Sequence, residues 1–98
     1  MAVRLYLDDE RPCPDGWVLA KTAHEAIAIL STGKVTEVSL DHDLGPPEAG
    51  TGYDVICWLE DQAHTDATFP VPVVHIHTAN PAARIKMQLA AESIRRAR

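Results

Sequence analysis

The sequence has only two cysteines, Cys13 and Cys57, and their spacing fits neither a metal knuckle nor a disulfide framework. A reducing cytoplasm is the expected setting. Long apolar runs are missing too: the first residues carry Arg4 and then acidic side chains, with no small-residue cleavage site, which argues against secretion and membrane insertion. Positive charge is scarce. Lys and Arg number 9 against 14 Asp and Glu, a net charge of -5, and the acids crowd into the first two thirds. Binding many phosphates requires Lys and Arg to neutralise them, so no extended nucleic-acid groove is expected. If nucleic acid is a ligand, a terminus or a small nucleotide is favoured. Repeats, linkers and low-complexity segments are lacking, which predicts one domain over residues 1–98, near the lower limit for a core without disulfides or structural metal. The 46% hydrophobic content excludes disorder.

What the chain does have is Leu40-Asp41-His42-Asp43-Leu44-Gly45, two carboxylates and an imidazole in consecutive positions. This stretch follows the apolar run Val35 to Leu40 and precedes a loop with Pro46, Pro47, Gly50 and Gly52. A buried strand cannot carry unpaired Asp in its middle, but its end can deliver charge to a rim where metal or substrate holds it.

In chain order, Val3 to Leu7 reads as a first strand, ended by Asp8-Asp9-Glu10-Arg11-Pro12. Pro12, Pro14 and Gly16 make the next loop too broken for a helix. Trp17 to Lys21 is a second strand candidate. Thr22 and Glu25 form a capping box, Ala23, Ala26, Ile27 and Leu30 recur at helical spacing, and Gly33 stops that helix. The third strand runs from Thr36 to Asp41. Thr51 and Asp54 cap a helix from about Gly52 to Ala63, with Val55, Ile56, Leu59 and Ala63 on its apolar face. Phe69 to His77 is the fourth strand, its prolines tolerated at an edge. Asn80-Pro81 opens a last helix through about Arg95. Strands alternating with helices predict a parallel sheet with right-handed crossovers, whose ligands bind beyond the C-terminal strand ends. Asp8 and Asp9, Asp41 and Asp43, and His75, His77 and Thr78 then share one rim.

These motifs carry a resemblance. Trp17 to Gly52 resembles the second strand, second helix, third strand and following loop of a response-regulator receiver domain. In that comparison Asp41 matches the phospho-accepting Asp, Asp8-Asp9 the acidic metal-binding pair, and Thr78, within Val73 to Ala79, the receiver hydroxyl. Three departures stand out. A loop at Arg11 to Asp15 replaces the first receiver helix, the fifth strand with its phosphate-binding Lys has no counterpart, and His42, His75 and His77 are foreign to ordinary receivers. Asp-Asp-Glu-Arg-Pro, Leu-Asp-His-Asp-Leu-Gly and His-Ile-His-Thr-Ala-Asn-Pro together are similar to the cyclic-phosphate-processing receiver-like family, a shortened receiver derivative associated with RNA repair. The resemblance implies an α/β, three-layer flavodoxin-like fold with a shortened, mainly parallel four-stranded sheet of order 2-1-3-4. It also implies action on cyclic phosphate ends of RNA.

The chemistry expected of such a rim is metal-assisted phosphodiester hydrolysis. Crowded carboxylates call for a cation, and hard oxygen ligands suit Mg²⁺ or Mn²⁺, with Zn²⁺ the alternative if imidazole joins. Asp8, Asp9 and Asp41 are the first-choice ligands, and Asp43 joins them if the strand is still extended there. His77 is the expected acid/base, with His75 on the same face and His42 pointing away from Asp41. Arg11 suits a phosphoryl oxygen, and the helix start at Asn80 suits an anion. Plainer readings stand beside these. Single Asp residues cap turns, His75 can be a core histidine, Arg11 can pair with Glu10 or Asp15, Trp17 and Trp58 can simply be core, and His24 and His64 read as solvated. The Arg95, Arg96 and Arg98 cluster complements a helix dipole. Two other functions remain open: a signalling module phosphorylated on Asp41, and a non-catalytic nucleotide- or protein-binding module. With no fifth strand, the fourth is an edge at which a homodimer could pair.

Overall fold

The computed structural model describes residues 2–97, so Arg98 of the terminal cluster lies outside the described residues. Its elements are β1 (Val3–Leu7), β2 (Val18–Ala20), α1 (Ala23–Leu30), β3 (Val35–Leu40), a short 3-10 turn (Pro47–Ala49), α2 (Gly52–Thr65), β4 (Val73–Ile76) and α3 (Pro81–Arg96). The sheet is parallel throughout, in the order β2-β1-β3-β4. This α/β receiver-like arrangement is the one the sequence predicts.

Local signals act where they are written. The Thr22 side chain accepts from Glu25 N at 3.1 Å, and Glu25 reaches back one residue further than a capping box requires, to Lys21 N. On α2 the reciprocal Thr51–Asp54 box is complete. Asn80 caps α3, with Pro81 at its first position. Two boundary differences bear on the site. Strand β4 begins at Val73 rather than Phe69 because Pro70 and Pro72 have no N–H to give a ladder. Strand β3 ends at Leu40, so Asp41 lies just past it, and Asp43 instead forms an isolated antiparallel bridge with Thr51.

Connection direction decides where the helices go. The β2-α1-β3 and β3-α2-β4 crossovers advance the same way across the sheet, so right-handedness puts both helices on one face. There Leu5, Leu7, Val38 and Leu40 pack with Ala26, Leu30, Val55, Ile56, Leu59 and Met87, all essentially without solvent contact. Burying each Leu or Ile contributes roughly 1.5–3 kcal/mol. The step from β1 to β2 runs the opposite way and carries no helix. On the second face, that layer of the receiver plan is represented by the loop from Asp8 to Trp17 alone. Arg4 and Tyr6 therefore meet Trp17, the guanidinium 5.5 Å from the indole centroid and the phenol ring edge-on at 6.2 Å. Trp58 is half-buried against Phe69, while His24 and His64 are exposed. No helix among the described residues is long and apolar enough to cross a membrane.

Candidate functional site

The chain reverses its direction of advance between β1 and β3, so their C-terminal ends open the crevice in which doubly wound folds hold ligands. Three backbone bonds prolong the ladders by one residue and fix what stands there. Asp8 N donates to Ala20 O at 3.1 Å, Asp41 N to Leu7 O at 3.0 Å, and His77 N to Leu40 O at 3.0 Å. Asp8, Asp9 and Asp41 each present an oxygen there, all within 4.8 Å of one another. They line a cleft of about 340 Å³ with Glu10, Arg11, Asp43, Gly45 and Ala79.

The two central carboxylates are held in opposite ways. Asp8 is buried, with Oδ1 accepting from Glu10 N at 2.8 Å and Arg11 N at 3.0 Å, and Oδ2 accepting from His77 Nε2 at 3.0 Å. Burial raises its pKa, but the N–H groups of Arg11 and Glu10 and the His77 ring outweigh that and hold it below the ordinary 3.8. The stability Asp8 contributes is thus fully present above pH 3.8 and is lost as pH falls through the lower folded value. Asp8→Asn is expected to cost about 1.5–3 kcal/mol at neutral pH, since these hydrogen bonds are to a charged group. Urea unfolding at pH 7 and pH 3 measures it, and an equal cost at both would refute the charge argument. Asp41 is shifted the other way. Burial pushes its pKa up, and the neighbouring Asp8 charge adds to this against the His42 N–H, the His77 ring and the Thr78 hydroxyl.

The remaining candidates separate into those at the cleft and those away from it. Arg11 lines it, half-exposed, with Nη1 donating to His77 O at 2.8 Å and Nε 3.9 Å from Asp8 Oδ2. Its partners are thus neither Glu10 nor Asp15. Thr78 is buried beside Asp41, and its carbonyl accepts from Arg84. Asn80 spends its side-chain oxygen on Ala83 N, and its own N–H donates to the Thr78 hydroxyl at 3.1 Å, so it caps α3 rather than reaching the cleft. His42 turns away, with Nδ1 3.0 Å from Asp43 Oδ1, which leaves Asp43 on the rim outside the three-carboxylate cluster. His75 and His77 share a sheet face, but only His77 reaches the acids. His75 lies two residues back along β4, where Glu37 Oε2 meets its Nε2 at 3.0 Å.

Sequence reasoning missed four contributors. Ser39 Oγ lies 2.7 Å from His77 Nδ1, and Tyr6 stacks on the same ring at 4.6 Å. A polar residue two before Asp41 in an apolar strand, and a Tyr two before Asp8, are the period-two signals that mark them. Gly45, at φ 94°, is the third: a Cβ there would stand 3.2 Å from Asp9 Oδ2. Gly52 is the fourth: a Cβ there would stand 1.8 Å from the Asp41 carbonyl oxygen.

The donor set fits a hard divalent cation. It is all oxygen, it is acidic, and the mutual repulsion that raises Asp41 is what a cation would relieve. Among the described residues no thiol or imidazole joins the cluster, so its donors are the hard oxygens alone. No curated protein and no solved structure matches the chain. The family described as the cyclic-phosphate processing receiver domain matches it over residues 3–93, a span that takes in Asp8, Asp9, Asp41 and Thr78. With a parallel 2-1-3-4 sheet and an acidic rim at its switch point, the chain belongs to the cyclic-phosphate processing receiver family.

Proposed function

We propose that this domain is a metal-dependent phosphodiesterase that opens 2′,3′-cyclic phosphates on RNA ends or nucleotides, as RNA repair requires. The observation that carries the reading is the convergence of Asp8, Asp9 and Asp41 within 4.8 Å, in a cleft that Arg11 also lines. A bound Mg²⁺ or Mn²⁺ would supply charge neutralisation at the phosphoryl oxygens and a water of lowered pKa. Asp9 and Asp41 would hold it, together with Asp8 through its Oδ2, which still has a free acceptor direction. The guanidinium of Arg11 keeps N–H groups beyond its bond to His77 O and pairs with a phosphoryl oxygen. Water adds at phosphorus, one P–O ester bond breaks, and the freed ribose oxygen takes a proton from solvent at the open rim. The product is a 2′- or 3′-phosphate.

Incubation with 2′,3′-cyclic nucleotides and Mg²⁺ or Mn²⁺ should give the monophosphate, and a chelator should stop it. No product with any common divalent metal would sink the proposal, and tight binding without product would point to a capture protein. One observation favours a second reading. The Thr78 hydroxyl hydrogen-bonds the Asp41 carboxylate, the pairing expected if Asp41 is a phospho-acceptor as in the receivers it resembles. Labelling by acetyl phosphate that is lost in Asp41→Asn would support it.

A further inference from the structure

Nearest the three carboxylates stands an imidazole whose two nitrogens are both committed within the protein. His77 Nδ1 is 2.7 Å from Ser39 Oγ and Nε2 is 3.0 Å from Asp8 Oδ2. An ionised carboxylate only accepts, so the Nε2 nitrogen carries the proton in that bond. In the neutral ring the Ser39 hydroxyl then donates to the lone pair on Nδ1. Tyr6 lies flat against the ring, 4.6 Å away with 3° between the planes. The residue's backbone is fixed as well, since its N–H donates to Leu40 O and its carbonyl accepts from Arg11. His77 is absent from the cleft lining and has no free nitrogen to offer a substrate.

Asp8 Oδ1 already accepts two backbone N–H groups. Only Oδ2 can face a cation, and the bond from His77 sets which of its lone pairs remains. Outer partners of this kind orient metal-binding carboxylates. We propose that His77 is a positioning residue, locked by Ser39 and Tyr6, that aims Asp8 Oδ2 at the cation site in place of exchanging protons with substrate. The proposal rests on the cation-site reading above.

Mn²⁺ titration by calorimetry and 2′,3′-cyclic nucleotide turnover at saturating Mn²⁺ test it in wild type, His77→Ala, His77→Gln and Ser39→Ala. His77→Ala should weaken Mn²⁺ binding about 10–100-fold, the usual effect of losing an outer partner. His77→Gln should recover most of that affinity and of the turnover, because its amide N–H reaches the same oxygen but carries no titratable proton. Ser39→Ala should fall between. Unchanged Mn²⁺ affinity in His77→Ala overturns the proposal. So does normal affinity with abolished turnover in His77→Gln, which would make His77 a proton-transfer group. Wild type that binds no Mn²⁺ would refute the cation-site reading instead. The positioning arrangement is then judged on imidazole ¹⁵N shifts of the wild-type protein, which need no metal. An Nε2–H tautomer at neutral pH is expected, and an Nδ1–H tautomer overturns it.

Discussion

Replacing Gly52 with alanine should lower the melting midpoint by more than about 10 °C and remove divalent-cation binding in the same step. The cause is packing rather than backbone conformation. A Cβ on Gly52 would stand 1.8 Å from the Asp41 carbonyl oxygen, 2.8 Å from its carbonyl carbon and 3.0 Å from Met87 Cε. The Met can yield, but the backbone at Asp41 cannot, because Asp41 N is bonded to Leu7 O and Gly52 N to His42 O. Either α2 moves off the β3 end or the loop carrying Asp41 moves away from Asp8 and Asp9. Overpacking ordinarily costs about 1–3 kcal/mol, and an immovable backbone neighbour places this change at the top of that range or above it. In a domain of this size each kcal/mol is worth about 4–8 °C. Calorimetry of the variant with and without Mn²⁺ measures both effects. A midpoint within about 2 °C of wild type would mean that the close approach of α2 to Asp41 is dispensable.

Asp41→Asn should do the opposite to the metal-free protein, raising its midpoint at pH 7 while abolishing the response to Mn²⁺. The pKa of Asp41 is pushed up by burial and then by the Asp8 charge, so the folded state resists ionising it. A group raised in this way costs stability above its folded pKa, and the cost disappears as pH falls below the ordinary 3.8. Asparagine removes the charge but keeps an oxygen for the His42 N–H, the bond that Asp41 Oδ1 accepts at 2.8 Å. The gain is expected near neutrality, and it should shrink to nothing by about pH 3. Wild type with Mn²⁺ at about 100 times its Kd should gain roughly 2.7 kcal/mol, and the variant should gain none. Thermal melts across this pH range, with and without Mn²⁺, read both halves. A variant less stable than metal-free wild type at pH 7 would contradict the repulsion argument.

Much of this was legible in the chain because the signals are short. The Thr51–Asp54 and Asn80–Pro81 caps, the 3.6-residue spacing of Val55, Ile56 and Leu59, and the charges at the ends of β1 and β3 each involve residues a few positions apart. Backbone hydrogen bonding and solvent decide them locally. Strand order followed from the resemblance together with crossover handedness, which the pattern of alternating elements already restricts. The placement of Asp8, Asp9 and Asp41 on one rim needed only that order. The sequence pattern starts β4 too early, because apolar Phe69 and Val71 alternate like strand residues although Pro70 and Pro72 cannot bond as such.

Local patterns in the chain, with the family resemblance, specify the parallel sheet, its capped helices and the acidic rim at the switch point. What each rim residue is free to do depends on the packed fold. His75 and His77 share a strand face in the chain, yet one meets Glu37 and the other joins Ser39, Tyr6 and Asp8, the last of these 69 residues away. Gly52 likewise reads as an ordinary helix start until Asp41 is packed against it. The physical reason is range. Caps and periodicity are fixed by neighbours along the chain, whereas hydrogen-bond partners, carboxylate repulsion and close approach depend on distances that exist only once β1, β3, β4 and α2 have come together.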